Sequence, residues 1–241
     1  MVDTDVLDKL RQQDSATVCN VIELFEIRPR NRGFMMREIK AAFPRLPPMV
    51  GFACTATART FAQPPDRKVP TAPDFISRFE DVPGPPVAVL QNLDSGGSAA
   101  LFGDVMCNSF KAFGAVGLVT DGPGRDYAGI APLDFPVFCD GCVSSHGYNH
   151  LLDLQTPVQI GGISVWPGEL LHGDANGVTT IPLQNAADVA DACIEFAAAE
   201  QVIIDVSQSG SASLDDLRDA YAEKARRVAA LGVQLRARKL T

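Results

Sequence analysis

The sequence predicts an α/β fold with a compact β-rich centre and helices at its N- and C-terminal ends. Three observations predict it. Short apolar runs of strand length, separated by Gly and Pro turns, recur between residues 50 and 181. Helical periodicity precedes and follows them, and no segment repeats elsewhere in the chain. At 241 residues and 46% hydrophobic content, the chain can bury a sizeable core. It is read as a single domain over residues 1–241, with a C-terminal helical extension from about residue 184.

Residues 3–13 and 15–25 each carry apolar side chains at helical spacing, with Asp14 or Ser15 as the N-cap between them. From residue 28 to 48 the pattern weakens. Pro44, Pro47 and Pro48 mark an extended approach to a strand over 50–61, which alternates as a half-buried strand does. The proline-rich stretch 64–86 holds one short helix around 74–79. Residues 86–93 form an apolar strand expected to end near Asn92, followed by a cluster of turn residues at 94–98. A helix with Asp104 at its capping position then carries Val105, Met106, Phe110 and Phe113 on its apolar stripe, and Gly114 stops it.

A second strand covers 117–120, and the turn 121–124 leads into Arg125-Asp126. Short strands follow at 136–138, 158–160, 163–166, 170–171 and 178–181, with Gly161-Gly162 as a hairpin turn. Beyond Pro182 come two helices, over 185–204 and 213–235. An acidic capping box, Ser213 with Asp216, opens the second.

Composition excludes several classes of function. A formal charge of −8 with scattered basic residues argues against a nucleic-acid surface, which needs clustered Lys and Arg. The local basic groups, Arg28, Arg30 and Arg32, then Arg226, Arg227 and Arg236 to Lys239, read as a loop or subunit contact and as cations suited to a C-terminal helix. No stretch approaches the roughly 18 apolar residues that cross a membrane. The N-terminus is acidic and amphipathic, unlike a secretion signal, so the cytoplasm is the expected compartment. The six cysteines are expected to be reduced there. Cys139 and Cys142, with His146 and His150 nearby, have a zinc-like spacing but offer only one Cys-x-x-Cys pair, which reads more simply as a turn.

The chemistry is concentrated in Gly103-Asp104, a spacer of twenty residues, and Arg125-Asp126, with Asp121-Gly122 just ahead of the arginine. A strand–helix–strand unit brings the ends of its two strands to one sheet edge, so Asp104, Arg125 and Asp126 are expected to converge. The helix beginning at Asp104 points N–H groups, those of Val105 and Met106, toward the same edge, where they favour a carboxylate. The same residues also fit a plain capping aspartate and a surface Arg125–Asp126 pair.

Together with Phe135-Pro-Val-Phe138, the 157–168 run ending in Trp166-Pro-Gly168, Gly173-Asp174 to Val178, and Ile181-Pro182, these motifs resemble the RraA-like family. The resemblance runs in order from about Ser15 to Glu200. The family includes class II 4-hydroxy-4-methyl-2-oxoglutarate aldolases and oxaloacetate decarboxylases, and also regulators of ribonuclease E. The spacing of Asp104 to Arg125-Asp126 matches the catalytic branch. The resemblance implies a swivelling β/β/α sandwich, a trimer or a hexamer of two trimers with the site between subunits, and a small keto-acid substrate. The expected activity is a divalent-metal-dependent lyase that releases pyruvate through an enolate, using Mg²⁺ or Mn²⁺ as a Lewis acid.

Carried over, Asp126 is the metal ligand and Asp104 holds the ion through water. Arg125 stabilises the charge on the keto oxygen, and Gly103, Val105 and Met106 line the carboxylate site. Glu200, from a neighbouring subunit, completes the catalytic set. The alternatives are a protein-binding regulator on the same scaffold and a lyase or hydratase for another acid using His146 or His172. The sequence departs from the pattern at Ser144 to His150, where His146, Tyr148 and His150 stand in place of small residues. It departs also at His172 and at Asn20, where an Asp is frequent.

Overall fold

A computed structural model describes residues 2–94 and 99–238. Most of the expected turn cluster at 94–98, and Lys239 of the C-terminal basic group, lie outside the described residues. Two capped helices begin the chain: α1 (Thr4–Arg11), whose N-cap Asp3 accepts from the Asp5 N–H, and α2 (Ser15–Leu24), whose N-cap Asp14 accepts from the Thr17 N–H at 2.8 Å. After β1 (Lys40–Ala41) comes the longest strand, β2 (Met49–Arg59), then α3 (Ala72–Ile76), which runs on into a 3-10 turn over Ser77–Asp81. The central unit is β3 (Pro86–Asn92), α4 (Asp104–Ala112) and β4 (Gly117–Thr120), followed by the single turn α5 (Tyr127–Ile130). Six strands follow: β5 (Val137–Cys139), β6 (His150–Leu154), β7 (Val158–Ile160), β8 (Ile163–Val165), β9 (Leu170–Asp174) and β10 (Gly177–Ile181). Two long helices, α6 (Ala186–Gln208) and α7 (Leu214–Arg238), end the described chain.

The result is the expected mixed α/β fold. The main sheet runs in the order β1-β5-β4-β3-β2-β9-β10, and β6 also pairs with β2. On one edge β2 lies parallel to β3. On its other edge β9 covers Met49 to Phe52 and β6 covers Ala56 to Arg59, both antiparallel. The sheet is nearly closed, because the segment leading to β1 bridges its two ends. Phe34 pairs with Thr179 of β10, the Met35 N–H donates to the Val178 carbonyl, and β1 then pairs with β5.

Sequence alternation made β2 half-buried, but the structure buries both of its faces from Met49 to Ala58. Its polar-looking positions are small residues, Gly51, Cys54, Thr55 and Thr57, that fit under a second layer. On one face the side chains of Ala88 and Leu90 join a core with the helices. On the other, Val87 and Val89 pack with Val158, Ile160 and Val165 of the separate β7–β8 hairpin. The hairpin turns at Gly161-Gly162, whose φ values of 57° and 79° require residues tolerant of the left-handed region. The strand β6 escaped the sequence reading because only His150 and Leu151 of it are buried and it begins inside a polar run.

The N-terminal helices are fastened to the sheet by polar groups. The Asp174 carboxylate, at the end of β9, accepts from the Ser15 hydroxyl at 2.5 Å and the Ser15 N–H at 2.9 Å. Burial alone would raise its pKa, but the Ser15 donors and the Asn176 N–H reverse that and hold it below the ordinary value. His172, two residues earlier, is fully buried, and its Nε2 lies 3.1 Å from the carbonyls of both Leu10 and Gln13. Both partners are acceptors, so Nε2 carries the proton. His172 is thus a strut between β9 and the α1–α2 connection.

Asp174→Ala should lower stability by about 2 kcal/mol at pH 7 in urea denaturation, since charge-assisted bonds to Ser15 are lost. A depressed carboxylate pKa stabilises above its unfolded value and loses that contribution as pH falls through the folded one. The gap between variant and wild type should therefore close below about pH 4.

Candidate active site

The two strand–helix corners meet because β3 and β4 pair in parallel, Val87 opposite Gly117 through Leu90 opposite Thr120. Just past their ends, the Asn92 N–H donates to the Asp121 carboxylate at 2.6 Å. The chain then lays 101–102 beside 123–125. The Leu101 N–H donates to the Pro123 carbonyl, the Arg125 N–H donates to the Phe102 carbonyl, and Phe102 bridges Gly124. A Cβ on Gly124 would sit 2.1 Å from Phe102 Cζ, so this ring demands a glycine. The next residue on one side is Gly103 and on the other Asp126, which is why residues so far apart in sequence converge.

Gly103, not Asp104, is the N-cap of α4; Asp104 is the first helical residue, and its Oδ1 accepts from the Val105 N–H at 2.7 Å. One of the two N–H groups expected to hold a substrate carboxylate is therefore engaged by Asp104 in this structure. The Arg125 Nε lies 3.2 Å from Asp126 Oδ2. Asp126 adopts a left-handed backbone, φ 59°, as it opens α5. Asp is among the few residues that tolerate this region, and such conformations concentrate at functional sites.

Two glycines make room for the carboxylates. A Cβ on Gly103 would lie 2.7 Å from Asp126 Oδ2, and one on Gly129 would lie 2.8 Å from Asp104 Oδ2. Gly103, Asp104, Val105, Met106, Arg125 and Asp126 line one cavity of about 340 Å³. The expected set is thus brought together, with the exception of Glu200. That residue lies on α6, where Lys224 of α7 donates to it at 2.8 Å, and it is not among the residues lining this cavity.

His146 lines the same cavity, while His150 lines the adjoining one and His172 neither. Sequence reasoning passed over Ser109 and Asn149, which also line the site. Asn149 donates from Nδ2 to the Ala100 and Leu101 carbonyls, holding its loop against the corner. It lies in the polar run from Ser144 to His150, beside the two imidazoles. The helical stripe on α4 also divides differently. Phe110 and Cys107 face the core, whereas Val105 is 77% exposed beside the site and Phe113 is 67% exposed. A larger cavity of about 560 Å³ lies near Val2, Leu183 and Ala187, but Asp3 is its one ionisable residue among those described.

Among the described residues no group of three or more His, Cys, Asp or Glu side chains is placed to hold a metal ion. The Cys139–Cys142 pair does not form one: Cys139 is buried with its thiol 3.1 Å from the Tyr127 hydroxyl, and Cys142 is exposed. Asp104 and Asp126 nonetheless suit a hard divalent cation that keeps several of its waters and needs one or two protein carboxylates. The Arg125–Asp126 ion pair is more than a third exposed on both sides and so opens at little cost.

Asp121 stands behind the site. Burial pushes its carboxyl up to about 6, against the lowering effect of the Asn92 N–H and with a smaller push from Asp140.

Comparison with known proteins gives a consistent relationship. The family model RraA-like, described as Aldolase/RraA, matches residues 15–180. A Halalkalibacterium halodurans protein named "Putative 4-hydroxy-4-methyl-2-oxoglutarate aldolase" is 34% identical over 105 residues, 43% of this chain and 49% of that protein. Protein DlpA of Legionella pneumophila is 29% identical over 174 residues, 71% of this chain and 28% of DlpA. The chain therefore spans about half the length of the first relative and less of the second. Among solved structures, an uncharacterized protein from Pseudomonas syringae pv. tomato superposes with a TM-score of 0.72 at 26% identity, covering 92% of this chain and 94% of that one. Streptomyces coelicolor RraAS2, titled an unusual member of the RNase ES inhibitor RraA protein family, gives 0.67 at 25% identity, covering 83% and 97%.

An acid whose pKa is raised by folding costs stability as pH climbs from its unfolded toward its folded value. Asp121→Asn keeps an acceptor for the Asn92 N–H and removes that cost. The variant should be more stable than wild type at pH 7, with the difference shrinking as pH is lowered through 6 toward 4. Thermal melts across that range test it, and an unchanged difference would mean that Asp121 does not titrate there.

Proposed function

The chain belongs to the RraA-like family, and on that premise we propose that it is a divalent-metal-dependent carbon–carbon lyase. It would cleave a 4-hydroxy-2-oxo acid, or decarboxylate oxaloacetate, and release pyruvate. The observation that carries this reading is the meeting of Asp104, Arg125 and Asp126 in one cavity at the start of α4. The aldolase name of the Halalkalibacterium relative supports the lyase class.

Asp126 and Asp104 would hold the Mg²⁺ or Mn²⁺ ion, which supplies a Lewis acid for the 2-keto group. Arg125, released from Asp126, turns its N–H donors to the keto oxygen and offsets the negative charge that develops there as the C3–C4 bond breaks. The first turn of α4 presents backbone N–H groups to the substrate carboxylate, with that of Met106 in place to donate once the Val105 N–H is committed to Asp104. The absence of a side chain at Gly103 leaves room for the Asp126 carboxylate beside this turn.

A homo-oligomer with the site between subunits, trimer or hexamer, belongs to this proposal. Val105 and Phe113 support it, since they expose large apolar surface at the start of α4 and at its C-cap. Glu200 of a neighbouring copy would then be the acidic residue that assists proton transfer, exchanging its Lys224 partner for the site. A second reading, a non-catalytic regulator, is favoured by the likeness to Streptomyces coelicolor RraAS2.

Purified protein supplied with oxaloacetate or 4-hydroxy-2-oxo acids and Mg²⁺ should release pyruvate in a coupled assay, and EDTA should stop it. Arg125→Ala should lower the rate by about 10²–10³-fold with the oligomer intact. Absence of any metal-dependent release across the panel would favour the regulator.

The between-subunit site has its own test. Arg125→Ala and Glu200→Gln chains, each inactive alone, should regain roughly a quarter of wild-type activity when co-expressed, because random assembly rebuilds intact sites. Activity that stays at background in the mixed oligomers would mean that Arg125 and Glu200 do not meet across a subunit boundary.

A further inference from the structure

Beside the cavity that holds Asp104 and Arg125 lies a second one of about 340 Å³, and the two share Ala72, Leu101, Met106 and Asn149 in their walls. The second chamber is lined chiefly by hydrocarbon: Val69, Leu90, Leu101, Met106, Phe110 and Leu151 carry most of it. Its few polar side chains make hydrogen bonds within the protein. The Thr71 hydroxyl bonds the Asp74 carboxylate, Asn149 Nδ2 donates to the Ala100 and Leu101 carbonyls, and His150 Nδ1 faces the Tyr148 carbonyl at 2.7 Å. In the neutral ring this places the proton on Nδ1 and leaves Nε2 an acceptor.

No Lys or Arg is among the described residues that line the chamber. Arg59, opposite His150 in the strand register, is ion-paired with Asp94 at 2.7 Å. A carboxylate entering here would give up its water for a largely hydrocarbon wall with no Lys or Arg among the described residues to meet it, a costly burial. A hydrocarbon group would gain by the same move.

We propose that this chamber receives the part of the substrate beyond its pyruvyl half, and that the preferred substrates are 4-hydroxy-2-oxo acids whose C4 substituent is an uncharged alkyl chain. The inference rests on the lyase reading and adds the substrate class to it. The pyruvyl end stays beside Arg125, and the tail passes over Met106 into the space under Phe110 and Leu151. On cleavage the C4 hydroxyl loses its proton and becomes the carbonyl of an aldehyde. The electron pair of the C3–C4 bond passes to C3, which takes up a proton to give pyruvate. Nothing is oxidised or reduced overall. Oxaloacetate, with no tail beyond its departing carboxyl, leaves the chamber unused.

The test compares two substrates and two unreactive analogues in the presence of Mg²⁺. kcat/KM for 4-hydroxy-2-oxoheptanoate should exceed that for 4-hydroxy-2-oxoglutarate by about tenfold or more, the scale on which apolar pockets discriminate. Calorimetry should show the same order for binding of 2-oxoheptanoate over 2-oxoglutarate, a readout that needs no turnover. Val69→Arg, a change in the loop wall of the chamber, should reverse both preferences. Equal or better use of the dicarboxylates by wild type, or ratios unmoved by Val69→Arg, would overturn the chamber assignment while leaving the lyase standing. Selective binding of 2-oxoheptanoate without pyruvate release from either hydroxy acid or from oxaloacetate would instead sink the lyase reading and keep the chamber.

Discussion

The parallel pairing of β3 with β4 is the constraint on which the site depends. Parallel neighbours end on the same side of a sheet, so the loops that leave them are forced together at one edge. Here the edge is tied twice. The Asp121 carboxylate bonds the Asn92 N–H at the strand ends, and one turn further out 101–102 and 123–125 exchange backbone hydrogen bonds. Gly124 permits the second tie because the Phe102 ring occupies the space of its missing side chain. A helix start and a left-handed corner are thereby fixed side by side, and the two carboxylates need no long-range packing of their own to meet.

Strand ends can be this exact only if the sheet beneath them does not slide. Both faces of β2 and β3 are covered, by helices on one side and the β7–β8 hairpin on the other, and a slip of one residue would exchange Val87 and Val89 with Ala88 and Leu90 between two different cores. The long helices matter for the same reason. α6 and α7 add buried residues such as Val189, Phe196, Leu231 and Leu235 to the helical core, and His172 and Asp174 anchor α1 and α2 to β9. The site itself contributes little to stability: its ion pair is exposed, and Asp126 holds an unfavourable backbone region.

Much of this was legible in the sequence because it rested on local signals. The end of β3 at Asn92, the stop at Gly114, the Gly161-Gly162 turn and the capping box at Ser213 all follow from short-range chemistry, and all are found. The convergence of Asp104, Arg125 and Asp126 was legible too, since it needs only a strand–helix–strand unit. What was not legible depends on partners distant in sequence. Whether β2 is covered on one face or two is decided by a hairpin a hundred residues later. Whether a histidine faces a pocket or a strut is decided by the carbonyls of Leu10 and Gln13. The shift of the cap from Asp104 to Gly103 has a similar origin: the Asp126 carboxylate fills the space beside residue 103, and only a glycine leaves it free.

Charge in the cavity gives the proposed chemistry its direction. Asp104, Asp126 and Arg125 together leave one net negative charge, and a 2-oxo acid brings another. Without an ion the site would repel the proposed keto-acid substrate, the more strongly the lower the effective dielectric. A divalent cation held by Asp104 and Asp126 would offset both charges and free Arg125 from Asp126, so that ion and substrate would favour each other's binding. A second carboxylate on the substrate would restore the imbalance in the apolar chamber, where neither Lys nor Arg is among the described residues of the wall. In the proposed reaction, the electrostatics that favour a metal beside Arg125 thus select against charge in the adjoining chamber.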